Sequence, residues 1–72
     1  MIIQAILEKY ESRKEECEEK FDEDVISLKQ TTDENRKKYL TEDMMCLNSQ
    51  IGAYECIIKD LKEYLNEISW WI

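Results

Sequence analysis

The chain contains no proline, one glycine and no histidine in 72 residues. A β-sandwich or barrel is thereby excluded, because its many tight turns need Gly and Pro. Without histidine the chain has no side chain that ordinarily titrates near neutral pH, and it lacks the commonest metal ligand. Cysteine is scarce and odd in number: Cys17, Cys46 and Cys56 show no CxxC spacing, so they form neither a disulfide framework nor a zinc site. Free thiols suit a reducing cytosol. Long apolar runs are also missing. The opening stretch Met1 to Leu7 has no basic residue and runs straight into Glu8 and Lys9, which fits neither a signal peptide nor a membrane span. Positive charge is outnumbered, with 10 Lys and Arg against 17 Asp and Glu and a net charge of −7. That balance is poor for holding phosphates directly. The expectation is a soluble, cytoplasmic protein with no metal or cofactor and no direct contact with nucleic acid or membrane.

Catalytic apparatus is absent as well. There is no Gly-rich phosphate loop and no nucleophile with a base and an orienting partner. Carboxylates and lysines on helix surfaces lack the burial that tunes a general base. The chain reads as a non-enzyme.

What is present is periodicity. In steps of four and three, Leu40, Met44, Leu47, Ile51, Tyr54, Ile58, Leu61, Leu65, Ile68 and Ile72 are all apolar. A seven-residue repeat held this long marks a helix whose seam packs on another helix. Met44, Ile51, Ile58, Leu65 and Ile72 take position a, and Leu40, Leu47, Tyr54, Leu61 and Ile68 take position d. Toward the end, the g positions Ile57, Tyr64 and Trp71 are also apolar, so the stripe widens into a face able to touch two neighbours.

The first third repeats the pattern less cleanly, through Ile3, Leu7, Tyr10, Lys14, Cys17, Phe21, Asp24 and Leu28. Val25 is expected to cover the gap at Asp24, and the aliphatic stem of Lys14 the other gap. The two registers do not join, which argues against one unbroken helix. Between them lie ten residues, Lys29 to Lys38, without a large apolar side chain. Thr31 followed by Glu34 reads as a capping box. The sequence therefore predicts an all-α, antiparallel two-helix coiled-coil hairpin filling 1–72 as a single domain. Its helices run over about 3–29 and about 33–72, with a turn at about 30–33.

The predicted helices are unequal, roughly 40 and 60 Å, so residues beyond about 61 have no partner within the chain. That overhang carries Leu61, Tyr64, Leu65, Ile68, Trp70, Trp71 and Ile72, an apolar patch that calls for a cover. A second copy, a groove on another protein, or a fold-back at Gly52 would supply it; the unbroken heptad through Gly52 disfavours the last. Paired tryptophans at such an end are suited to anchoring a partner or capping a dimer.

Residues 8–24 form the second feature. Glu8, Glu11, Glu15, Glu18 and Asp22 step by three and four and line one helix face for about 20 Å. Such a ladder either keeps the helix soluble, with pairs such as Glu16–Lys20, or imitates a nucleic-acid backbone and occupies a basic channel. The basic run Arg36-Lys37-Lys38 is expected to be local, with Glu34 pairing Lys38.

These features lead to a small acidic inhibitor that binds a larger intracellular protein, a nuclease or another nucleic-acid-binding protein. In this reading the overhang docks and the acidic face competes with nucleic acid. Phage or mobile-element anti-defence (anti-CRISPR-like) proteins are the class that such a chain fits by analogy. The alternative is a homodimeric coiled-coil oligomerisation or scaffold module with no inhibitory target.

Overall fold

Two long amphipathic stretches separated by a polar decapeptide leave the chain one economical way to bury its seams, which is to fold back on itself. The computed structural model describes residues 2–69 and shows this hairpin: α1 spans Ile2–Gln30 and α2 spans Glu34–Ser69. The helices pack on each other along a rod of 58 × 14 × 14 Å. Trp70, Trp71 and Ile72 lie outside the described residues.

The connection is short. The Thr31 amide still donates to the Ser27 carbonyl (3.1 Å), extending the α1 spiral by one residue. The cap of α2 differs from the expected Thr31–Glu34 box. Asp33 is the N-cap: its Oδ1 accepts the Asn35 amide at 3.0 Å and its carbonyl accepts the Lys37 amide at 2.9 Å. Thr31 Oγ1 instead accepts the Asp33 amide at 3.3 Å. Asp is among the strongest N-caps, and its charge also favours the positive end of the helix dipole, so it takes the role two residues later.

The heptads govern burial. Leu7, Leu40, Leu47 and Ile58 are buried, and the remaining apolar seam positions from Ile3 to Ile68 are half-buried. The rings of Tyr10 and Tyr54 meet at 5.9 Å, tilted by 44°, which sets the register of one helix on the other. Lys14 behaves as expected: its stem lies along the seam while its ammonium reaches Glu18 (3.5 Å) and Glu55 (3.6 Å). The gap at Asp24 is a different matter. Asp24 itself, not Val25, fills the seam, and it is 2% exposed.

Numbered on the same heptad, α1 has a at Leu7, Lys14, Phe21 and Leu28, and d at Ile3, Tyr10, Cys17 and Asp24. In an antiparallel pair the e positions of both helices line one flank and the g positions line the other. On the e flank Lys62 meets Glu11 at 3.5 Å. On the g flank Lys20 meets Asp43 at 3.7 Å, and the Cys17 thiol donates to Gln50 Oε1 at 3.4 Å. These pairs, mostly exposed, select the register more than they stabilise it.

Helix α2 passes through Gly52 without interruption, so the fold-back into a third helix does not occur. A Cβ added at Gly52 would meet nothing within 4 Å. Replacing Gly52 by alanine is therefore expected to raise stability by about 1 kcal/mol, the helix-interior penalty of glycine. Urea titration of both proteins checks it; a loss of stability would mean that the glycine is needed for a contact made outside the hairpin.

Candidate interaction surfaces

Two surfaces emerge, on opposite flanks of the rod. The first is on the e flank. All five residues of the acidic ladder, Glu8, Glu11, Glu15, Glu18 and Asp22, are exposed. Glu11 is tied to Lys62 and Glu18 to Lys14. Among the described residues no ion pair engages Glu8, Glu15 or Asp22, so three carboxylates of the ladder stand unneutralised.

The ladder leads into an apolar concavity that sequence periodicity did not reveal. Phe21, Leu28, Thr41, Met44, Met45 and Asn48 line an open groove of about 350 Å³. A smaller hollow lined by Glu18, Asp22, Phe21, Asn48 and Ile51 adjoins it through the shared Phe21 and Asn48. The groove opens for a steric reason. Nearer the open end the e flank is crossed by long charged pairs, Lys14 with Glu55 and Lys62 with Glu11, whose aliphatic stems suit covering apolar surface. Here the e positions are Thr41 and Asn48, which are too short to cover Phe21 and Met44. The available clue in the sequence was Met45, an apolar residue one step off the seam, which is 66% exposed. Methionine is flexible and polarizable, and it lines surfaces that adapt to an apolar guest.

The second surface is on the g flank at the open end. Two heptads away from the Lys20–Asp43 pair, the same register places Ile6 and Ile57 on this flank. Both are partly exposed, Ile2 is 79% exposed and Tyr64 is 52% exposed. Of the expected overhang, Leu61, Leu65 and Ile68 are half-buried and Tyr64 is open, while Trp70, Trp71 and Ile72 lie outside the described residues. The patch is broader than the overhang because α1 contributes Ile2 and Ile6 to it.

Other expectations are revised locally. Lys20 does not pair with Glu16; its ammonium lies 2.9 Å from Asp24 and 3.7 Å from Asp43. Glu34 pairs with Lys37 at 3.5 Å rather than with Lys38, and the basic cluster is local in that sense. Cys46 and Cys56 are exposed free thiols, and Cys17 is a half-buried one. Among the described residues no group of three acidic, Cys or His side chains could hold a metal ion, and no helix is long and apolar enough to cross a membrane.

Compared with protein-family models, curated proteins and solved structures, the chain matches none.

Proposed function

We propose that this protein is a small acidic protein-binding inhibitor whose working surface is the e flank. The unneutralised carboxylates of α1 lie against a basic surface of the partner, and the Phe21–Met45 groove takes an apolar side chain from that same partner. The observation that carries this reading is the continuity of the two: Glu18 and Asp22 border a hollow that shares Phe21 and Asn48 with the apolar groove. A basic amphipathic helix presents the complementary layout, with an apolar stripe beside cationic side chains. Basic surfaces of this kind are where nucleases and other nucleic-acid-binding proteins hold phosphates. A ladder of carboxylates seated there excludes the nucleic acid, and that is the inhibitory mechanism proposed. The anti-defence assignment (anti-CRISPR-like, of phage or mobile-element type) follows from the same chemistry at class level. The role requires no catalysis and no cofactor.

The test uses a synthetic amphipathic peptide with leucine on one face and lysine and arginine on the other, titrated calorimetrically. Wild-type protein is expected to bind it and Met45→Asp to bind about tenfold more weakly, since the substitution places a charge at the mouth of the groove. Met45 is exposed, so the variant keeps its fold. Equal affinity for both proteins would remove the groove from the reading.

A second reading, self-association, is favoured by the open-end patch of Ile2, Ile6, Ile57 and Tyr64. Two copies meeting there would bury each other's apolar ends and leave both e flanks outward, so the two readings are compatible. Light scattering after size exclusion is expected to show a species near twice 8.7 kDa that Tyr64→Glu converts to a monomer. A wild-type monomer at all concentrations would end this second reading.

A further inference from the structure

Asp24 is the most deeply buried polar residue described, in a fold with very little interior. Lys20 Nζ donates to its Oδ1 at 2.9 Å. Its Oδ2, and the Oδ2 of Asp43 across the interface, are buried and receive no hydrogen bond from the protein. The same ammonium stands 3.7 Å from Asp43 Oδ2, too far for a hydrogen bond. The two carboxyls thus converge on one ammonium, at 2.9 and 3.7 Å, and each keeps a buried oxygen without a donor.

Two bare carboxylates against a single ammonium would leave one negative charge uncompensated and two buried acceptors facing without a donor. One proton between them removes both faults, because one carboxyl becomes the donor and the other remains the acceptor. A divalent cation is a poorer occupant, since the Lys20 ammonium already stands beside Asp24 and no third ligand is present among the described residues. We infer that Asp24 and Asp43 share one proton across the α1–α2 interface, so that the hairpin is a pH-sensitive clasp that loosens as the proton is lost.

The surrounding charges fix which residue carries the proton. From α1, Lys20 faces the pair and Glu23 lies beyond it; from α2, Arg36 faces Asp24. Asp24 accepts from Asp43 first and from Lys20 second, with Arg36 adding to the effect, so its carboxyl is held below its usual range. Asp43, bonded to a charged Asp24, is held above its usual range. The proton resides on Asp43 and the charge on Asp24. The coupled pair then contributes most in mildly acidic solution. As pH rises through the raised pKa of Asp43, the folded state loses a proton that the unfolded chain has already released, and stability falls. As pH drops through the lowered pKa of Asp24, the folded state takes up a proton that the unfolded chain already holds, and stability falls again.

The experiment is chemical unfolding followed by far-UV circular dichroism across pH, on wild type, Asp43→Asn and Asp60→Asn. The last removes one exposed charge far from the pair and corrects for the general relief of negative charge. The folding constants of wild type and Asp60→Asn, which both keep the pair, are expected to fall with rising pH by up to about tenfold per pH unit, the limit for one linked proton. Asp43→Asn, whose amide donates permanently, is expected to be flat over that range. Equal pH slopes for wild type and Asp43→Asn would overturn the proposal. Carboxyl-carbon NMR of the wild type decides independently of any variant's folding: Asp43 is expected to titrate above Asp24, and the reverse order or coincident titrations would also overturn it.

Discussion

Leu40→Ala is expected to leave the chain largely unfolded at 37 °C, with the helical dichroism lost and no cooperative melt. Leu40 is 3% exposed and sits in the first full turns of α2, against α1 close to the connection. Truncating a leucine so enclosed costs about 2 to 5 kcal/mol, whereas a core of this size rarely supplies more than about 3 to 5 kcal/mol in all. The two magnitudes are similar, so one substitution is enough. Ile58→Val, at another buried position, removes one methylene for about 0.5 to 1.5 kcal/mol and is expected to shift the urea midpoint without abolishing folding. If Leu40→Ala melted like wild type at low protein concentration, the packing between α1 and α2 would not be the source of stability. If it did so only at high concentration, association through the open end would be.

Reversing Glu15, Glu18 and Asp22 to lysine together is expected to weaken binding of the basic amphipathic peptide on the order of a hundredfold at low ionic strength. The loss should shrink steeply toward 1 M salt, where the screening length is only about 3 Å. Most of the change is expected in the association rate, since these side chains are exposed and act by steering. The same triple variant tests inhibition directly: it should fail to displace DNA from a partner that the wild type displaces it from. Among the described residues Glu15 and Asp22 make no ion pair and Glu18 has one exposed pair with Lys14, so the substitutions cost little stability. A peptide that bound the variant as tightly at every salt concentration would dissociate the ladder from the function proposed.

Much of the architecture was legible in the amino-acid order because a helix repeats its facing residues at a fixed interval. From Leu40 to Ile68, each residue that the four-three count assigns to the seam is sheltered in the structure. The turn at 31–33 follows from the break in register and the polar run around it. The cap was misplaced by two residues because Thr31 and Asp33 are both good N-caps, and only the backbone path decides which oxygen reaches a free amide. Asp24 was misread for a deeper reason. A carboxylate in a seam looks like a fault to be covered by Val25, unless Asp43 and Lys20 are known to stand opposite and beside it.

The e-flank groove illustrates the same boundary. Phe21, Leu28 and Met44 are ordinary seam residues in a linear count, and nothing local says that the roof over them is missing. That depends on Thr41 and Asn48 falling at e positions opposite α1, at a place set by the Tyr10–Tyr54 register. The sequence by itself determined the helices, the seam, the hairpin and the acidic ladder, since each is a matter of spacing along one chain. Only the tertiary structure decided which carboxyls meet, where the seam is left open and how α1 broadens the apolar end, because these depend on where one helix stands against the other.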